Sequence, residues 1–423
     1  MPSVAERFGK YICDITADDP DKSRKLLLAA YRAYGAKLKL LPNKKLPPSK
    51  QYSARYVNKV VTDMLSNPQD AALVSVFMPC ELLTAMDIIP MCAELYSCFI
   101  NGAWSESAFT RAAEEEGIAQ TFCSYHKILL GTAYTGVLKS PSMVVNTSLV
   151  CDANNLTFRE LSDHYGIPQY YLDVPSERSK EAVAYVTEQL RELKTFLEDN
   201  SGRSLTEERL RDAVCRSRDT IRYLRKCFNE KRSHYVANDV TSELYEIYMT
   251  HNALGTDEAY SYAKQLYHDL RNAPKKKGLR ILWLHTVPNW QAPIRQLMDV
   301  NDRCQLVACD MNFESLIRME PDKPYESMAR RLIYSRWNGG RQRVDAAIKA
   351  AKALDADGVI CFCHWGCKQT MGLSAVFKSA LEDEGFPTLI LNGDGVDRAN
   401  ASDGQISTRL NAFIEMLEGA GRG

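Results

Sequence analysis

The chain has 423 residues, which is too long for one ordinary hydrophobic core, so two or three domains are expected. Apolar residues make up 45% and charged residues 25%, a globular composition, and the 53 basic residues equal the 53 acidic ones. This balance argues against a nucleic-acid-binding protein with a basic face. A run of about 18 uncharged apolar residues is absent from the sequence, so no membrane span is expected.

The sequence begins MPSVAERFGK and has no apolar stretch of signal-peptide length near this end, so we predict a cytoplasmic protein. Thirteen cysteines are many for that compartment, because disulfides rarely persist there. Most are expected to be small buried hydrophobic residues. Their number still makes metal binding or thiol chemistry a candidate function.

The first half of the chain predicts a helical cap and an α/β lobe. Residues 1–70 are polar and helical in pattern, and the prolines of the PNKKLPP stretch at 42–48 require a loop. Residues 71–175 then alternate strand-like and helix-like segments, which is typical of a lobe built on a parallel sheet. Its strands are predicted at 71–78, 141–147 and 169–174, and a helix is predicted through the apolar residues of 82–89.

The second half predicts a helical bridge and a second lobe. Residues 176–272 carry apolar residues three and four apart, which indicates helices that join two sheets. Buried strands are predicted at 279–284, 304–309, 358–362 and 388–391, within a second lobe at 273–423. The expected fold class is therefore α/β, with two Rossmann-like (flavodoxin-like) lobes and parallel sheets, joined by a helical segment and preceded by a small helical N-terminal region.

Cysteines beside predicted strands are the main candidates for chemistry. Cys123, Cys151 and one of Cys361, Cys363 and Cys367 each lie in a loop or at a helix start next to a strand. They can converge only if both lobes face one crevice. Three thiolates around iron and sulfide leave one metal position open, and zinc held by three cysteines with His364 or His126 is the competing metal site. GxGxxG, GxxxxGK[ST] and GxSxG are absent, which argues against common nucleotide and esterase sites.

Four segments add a family resemblance. They are Pro79-Cys80-Glu81-Leu82-Leu83 before Ile88-Ile89-Pro90, Cys123-Ser124-Tyr125-His126-Lys127 with Gly131, Cys151-Asp152 after the run 144–147, and Cys367 followed by Gly385-Phe386-Pro387 and Gly393-Asp394. In these segments the sequence resembles the 2-hydroxyacyl-CoA dehydratase and benzoyl-CoA reductase family, as its D-component subunits. Members carry an oxygen-sensitive 4Fe-4S cluster.

The resemblance implies site residues and a cofactor. Cys123, Cys151 and Cys367 would hold a 4Fe-4S cluster. Because Cys361 and Cys363 lie so close to Cys367 in the sequence, two alternatives stay open. Cys363 could replace Cys367 as a ligand, or the site could hold an 8Fe double-cubane cluster. Cys80 departs from the family, where a second acidic residue is more common.

Glu81 and His126 are the catalytic candidates. Glu81 would bond near the substrate hydroxyl, or simply be a carboxylate favoured in the first turn of a helix. His126 would transfer a proton, or be an ordinary surface residue. His364 and Lys368 are candidates for contacts with coenzyme A phosphates or an activator, and Trp365 for packing over the cluster.

The implied function is that of the iron-sulfur subunit of an (R)-2-hydroxyacyl-CoA dehydratase. One electron added to the thioester would give a ketyl radical that expels the 2-hydroxyl and yields an enoyl-CoA. The implied partners are an acyl-CoA substrate, a related second subunit or a second copy, and an ATP-dependent iron-sulfur activator. The alternatives are a benzoyl-CoA-reductase-like or double-cubane reductase subunit and a non-catalytic metal-binding accessory subunit.

Overall fold

The computed structural model describes residues 2–421, which form three N-terminal helices, two α/β lobes and a helical segment between them. The N-terminal helices are α1 (Val4–Ile15), α2 (Pro20–Leu40) and α3 (Pro48–Ser66). Ser3 and Glu6 form a reciprocal capping box at the start of α1, which satisfies donors that a helix end leaves free. The predicted proline-containing loop separates α2 from α3. None of the described helices is long and apolar enough to cross a membrane.

The first lobe contains a four-stranded parallel sheet. Its elements are β1 (Ala71–Val74), α4 (Glu81–Ala85), β2 (Ile89–Cys92), α5 (Ala93–Gly102), α6 (Glu106–Glu115), α7 (Ser124–Tyr134), β3 (Met143–Thr147), α8 (Asp152–Tyr165) and β4 (Gln169–Leu172). The strand order is β2-β1-β3-β4, with Val74 of β1 beside Cys92 of β2 and Val145 of β3. The chain therefore runs from β1 to β2 on one side and then returns past β1 to β3 on the other side. This change of direction leaves a crevice between the carboxyl ends of β1 and β3.

Two predictions in this lobe were wrong in detail. The strand predicted at 71–78 ends at Val74, because the backbone N–H of Val76 donates to the Glu94 carboxylate and a turn follows. The helix predicted through 89 ends at Ala85, since Asp87 adopts a left-handed conformation and the chain then enters β2. Pro90 is tolerated in this strand because β2 lies at the edge of the sheet.

Four long helices connect the lobes. They are α9 (Lys180–Ser201), α10 (Glu207–Glu230), α11 (Val240–Thr250) and α12 (Asp257–Arg271). Leu190, Leu193 and Leu197 form part of the buried face of α9, as the predicted apolar spacing requires. Buried charges also stabilise this region: Lys50 of α3 and Lys231 both contact Glu246 of α11.

The second lobe repeats the topology of the first. Its elements are β5 (Leu279–Leu284), α13 (Ala292–Met298), β6 (Cys304–Cys309), α14 (Pro324–Ile333), α15 (Gly340–Leu354), β7 (Gly358–His364), α16 (Lys368–Asp383), β8 (Thr388–Gly393) and α17 (Asp403–Gly419). All four strands are parallel, in the order β6-β5-β7-β8. The predicted fold class of two Rossmann-like lobes is confirmed, and the crevice of this lobe lies between β5 and β7.

Candidate functional site

A cavity of about 760 Å³ lies where the carboxyl ends of the two sheets face each other. Its walls come from the first lobe, from α11 of the helical segment and from the second lobe. Apolar side chains predominate, and a few ionisable groups converge among them. Concave, mostly apolar cavities with a few placed polar groups are the usual form of ligand sites. Its location at the crevices of two α/β sheets fits that interpretation.

The structure brings Cys123, Cys151 and Cys367 to this one cavity. Each immediately precedes a helix, respectively α7, α8 and α16, so each lies at the positive end of a helix dipole. Burial raises the pKa of the Cys151 thiol to about 12. The pKa of the Cys123 thiol is also raised, first by burial and then by repulsion from the other two sulfurs when they are ionised. The three sulfurs are thus close enough to interact, and the raised pKa values of Cys123 and Cys151 mean that these two thiols need a nearby positive charge to become thiolates.

Contacts between the lobes fix the position of Cys123. Gly366 has a φ of 82°, and a Cβ atom there would lie 2.6 Å from the backbone nitrogen of Cys123, so only glycine permits this approach. The Ser124 hydroxyl donates to the Asp394 carboxylate at 2.6 Å. The Tyr125 and Thr286 hydroxyl oxygens are 2.5 Å apart. Cys123 is therefore held against the loops that follow β5, β7 and β8.

Two predicted histidines contact these thiols. His126 is 2% exposed and lines the cavity, and its Nε2 lies 3.7 Å from Cys151 Sγ. Burial lowers the pKa of His126 to about 3, so its imidazole is neutral near pH 7. His364 is the last residue of β7, and its Nε2 lies 3.3 Å from Cys123 Sγ. Both side chains can therefore exchange hydrogen bonds with sulfur, and neither lies on the outer surface.

Other predicted residues lie away from the cavity. Glu81 is fully buried, and its carboxylate accepts hydrogen bonds from Ser217 and Arg331, each at 2.9 Å. Cys80 is also buried, its pKa is raised to about 12 by burial, and it contacts Asn252. Neither residue lines the cavity. The geometry gives Glu81 a structural ion pair, and its catalytic role stays a prediction without a contact to support it.

The three cysteines in and after β7 also differ in whether they line the cavity. Cys361 and Cys363 are buried strand residues and do not line the cavity. Cys363 lies instead next to Ser374 of α16, and burial raises its pKa. Trp365 is 47% exposed and, like Lys368, lines the mouth of the cavity. Of Cys361, Cys363 and Cys367, only Cys367 lines the cavity together with Cys123 and Cys151.

Glu94 is a site residue that the sequence interpretation missed. It lies in the first turn of α5, directly after β2, and its carboxylate accepts hydrogen bonds from the Val76 N–H at 3.1 Å and the Cys92 thiol at 3.4 Å. Although the residue is only partly buried, its enclosure in the cavity raises the pKa to about 7. A carboxyl group with this pKa is suited to proton transfer near neutral pH. Recognition of β2 as a strand would have placed Glu94 at its carboxyl end.

His285 is the second missed residue. It directly follows β5, has a left-handed φ of 80°, and lines the cavity with only 8% of its surface exposed. Its ring stacks on Trp337 at 5.8 Å, and its backbone N–H donates to Asp310 at 2.6 Å. Burial and the charge of Arg343 lower its pKa well below the ordinary value. The sequence signal was available, since a polar residue directly after a buried strand marks a ligand-binding edge.

The residues described, 2–421, contain no group of three or more His, Cys, Asp or Glu side chains arranged around a single metal ion. The convergent thiols instead surround a space, with Cys92 and Cys98 also on its wall. Cysteines that line one cavity in this way are potential ligands of a metal centre.

Comparison with known proteins identifies the family. A family profile described as 2-hydroxyglutaryl-CoA dehydratase, D-component, matches residues 75–417, which include both lobes and the segment between them. No curated protein matched the chain. The extent of the profile match confirms the resemblance seen in the sequence, and the chain belongs to the 2-hydroxyglutaryl-CoA dehydratase D-component family.

Proposed function

We propose that this chain is the iron-sulfur subunit of a 2-hydroxyacyl-CoA dehydratase. The family supports a component of such a dehydratase. The observation that carries the finer proposal is the meeting of Cys123, Cys151 and Cys367, from three separate elements of two lobes, at one cavity. Cys123 is buried, and Cys151 and Cys367 are partly buried at the cavity wall. They are a suitable donor set for an iron-sulfur cluster.

The residues fit a 4Fe-4S cluster. The thiols of Cys123 and Cys151 have raised pKa values because burial penalises thiolates, and bound iron would supply the missing positive charge. Each thiol also lies at a helix N-terminus, which favours negative charge on sulfur. Three protein ligands leave one iron position for a substrate or another group. The mostly apolar wall would keep water away from such a centre.

When bound, the cluster would lend one low-potential electron to an acyl thioester, so that the substrate loses its 2-hydroxyl as hydroxide and a proton from the β-carbon, and the electron is returned when the enoyl-CoA forms. The chain's own residues would then handle protons. Glu94 is our candidate for holding or accepting a proton, because its carboxyl lines the cavity with a pKa of about 7. His285 presents a neutral imidazole in a fixed orientation and would hydrogen-bond a polar group of the acyl chain.

The proposed partners follow the same reasoning. Lys368 lies at the cavity mouth and would attract the phosphates of coenzyme A. The sequence has no phosphate-binding loop, so ATP hydrolysis is assigned to a separate iron-sulfur activator. A related second subunit, or a second copy of this chain, would complete the working unit.

A reductase with a larger cluster is the second candidate function. Cys92 and Cys98 line the same cavity as the three proposed ligands. Five thiols around one space could hold more than four irons, as in a double-cubane centre. Counting iron separates the two proposals, since a single cubane requires about four atoms per chain and a double cubane about eight.

Anaerobic purification with iron and sulfide analysis tests the proposal, followed by electron paramagnetic resonance (EPR) of the reduced protein. We expect a brown protein whose iron is lost in Cys151→Ala. Cys215→Ala is the matched control, because Cys215 lies on α10 outside the cavity and should leave the iron content unchanged. Turnover of 2-hydroxyglutaryl-CoA with an ATP-dependent activator then tests the reaction. A colourless protein with one tightly held zinc would refute the cluster.

A further inference from the structure

The two ring nitrogens of His364 have different partners. The backbone N–H of Gly395 donates to Nδ1 at 3.1 Å, so Nδ1 acts as an acceptor and carries no proton. A neutral imidazole has one N–H, which must therefore be on Nε2. That nitrogen lies 3.3 Å from Cys123 Sγ. The geometry thus specifies an Nε2–H donor directed at the sulfur of a proposed cluster ligand.

The surroundings of His364 keep its ring in this orientation. The side chain is 1% exposed, and the nearest Asp394 carboxylate oxygen lies 3.7 Å from Nδ1, too far for a hydrogen bond. A proton on Nδ1 would also displace the Gly395 N–H. The imidazole is therefore held in one tautomer.

The loop that carries Gly395 is fixed on several sides. Asp394 accepts hydrogen bonds from the Ser124 hydroxyl and from the backbone N–H groups of Val396 and Asp397. The Trp290 Nε1–H donates to the Gly395 carbonyl at 2.9 Å. A Cβ atom at position 395 would lie 2.3 Å from the Tyr125 hydroxyl oxygen, which shows how closely the loop approaches α7. The donor to Nδ1 therefore cannot move away without disturbing the lobe junction.

We propose that His364 is a positioning residue that raises the reduction potential of the iron-sulfur centre through its Nε2–H···Sγ hydrogen bond to Cys123. This inference rests on the proposed function, since Cys123 must bind iron. Reduction adds negative charge to the cluster and its thiolates. A donor fixed on one sulfur stabilises the reduced form more than the oxidised form.

His126 provides a contrast within the same site. Its Nε2 lies farther from a ligand sulfur, at 3.7 Å from Cys151, and its Nδ1 has no hydrogen-bond partner within residues 2–421. Its tautomer is therefore not imposed, and nothing fixes a proton on the nitrogen that faces sulfur. His364 is the histidine whose partners determine a sulfur-directed donor.

The test is an EPR-monitored redox titration of the full-length holoprotein. His364→Leu removes the donor and is expected to disfavour reduction about tenfold, a potential more negative by about 59 mV for a one-electron couple. His364→Gln retains an N–H donor and should recover part of this shift. His268→Leu is the control, because His268 is a 72% exposed side chain on α12 and does not line the cavity, and the potential of this variant should equal that of the wild type.

A second measurement uses only the wild-type protein, so it does not require any variant to fold. Reduced wild-type protein labelled with 15N-histidine should show a nitrogen hyperfine coupling through the N–H···S bond. Bound iron with no coupling, or a His364→Leu protein with full iron and an unchanged potential, would overturn this inference alone. Absence of iron from the wild type would overturn the proposed function and this inference with it.

Discussion

Substitution of Glu81 tests whether its carboxylate has a structural or a catalytic role. Glu81 of α4 is fully buried, and the side chain of Arg331 in α14 is only 6% exposed. The pair connects the first lobe to the second, and Ser217 of α10 completes the contacts of the carboxylate. Glu81→Leu leaves the Arg331 guanidinium buried without its counter-charge. A catalytic role predicts lost turnover, whereas the ion pair predicts lost stability.

The size of the effect follows from the environment of the pair. Removing one partner of a buried ion pair costs about 3–5 kcal/mol, because the remaining charge stays desolvated. Replacing both partners with apolar side chains is often neutral or stabilising. We therefore expect Glu81→Leu to lower the free energy of unfolding by about 4 kcal/mol and Glu81→Leu/Arg331→Met to recover most of it. Glu384→Leu, in the exposed pair with Lys352, should cost at most about 1 kcal/mol.

Urea unfolding followed by circular dichroism measures these differences. Because the urea slope increases with chain size and exceeds the roughly 3 kcal/mol per M of small proteins, the Glu81→Leu midpoint should fall by about 1 M or less. The double variant should also retain its iron and its dehydratase turnover. A double variant that is stable, holds iron and has no turnover would show that Glu81 is catalytic. A single variant with the wild-type midpoint would show that the buried pair contributes nothing.

Three further predictions concern the cavity. The pKa of Glu94 is raised from 4.5 to about 7 in the folded chain, so its protonated form stabilises the fold below pH 4.5, and this contribution is lost as the pH rises towards 7. In Glu94→Gln, the free energy of unfolding should therefore decline less between pH 4.5 and 7 than in the wild type. Identical pH profiles of the two proteins would contradict the assignment. Gly395→Ala should cost about 1–3 kcal/mol by overpacking against Tyr125 and should lower the iron content, whereas Gly404→Ala, with nothing within 4 Å, should do neither. Cys98→Ala should leave about four irons per chain if the centre is a single cubane, and a fall in iron content would favour the larger cluster.

The strands of the second lobe were predictable because burial on both faces produces uninterrupted apolar runs. The predicted strands at 279–284 and 304–309 match β5 and β6 at both ends. The edge strand β2 was not recognised, since Leu82, Leu83, Met86 and Ile89 follow helical spacing and the turn at Asp87 has no strong sequence signal. The missed strand concealed the position of Glu94.

The candidate site was predictable to a similar degree. Cys151 and Cys367 follow β3 and β7, so topology places these two at the carboxyl ends of their sheets. Cys123 lies between α6 and α7, and its position depends on the contacts between the lobes. The position of Glu81 could not be derived in this way. A carboxylate in the first turn of a helix has the same local sequence whether it faces a cavity or a distant arginine, and Arg331 is 250 residues away in the chain. Pairings over such distances are fixed by lobe packing, which local patterns do not encode.

The division of the thiols between the lobes links the proposed cluster binding to domain docking. Cys123 and Cys151 belong to the first lobe and Cys367 to the second, so the full donor set exists only when the lobes are in contact. A ligand that binds only the docked state stabilises that state. The contacts of Ser124 with Asp394 and of Gly366 with the Cys123 backbone hold the same arrangement without metal. Weakening this junction should therefore reduce iron affinity, even where the substituted residue touches no metal ligand.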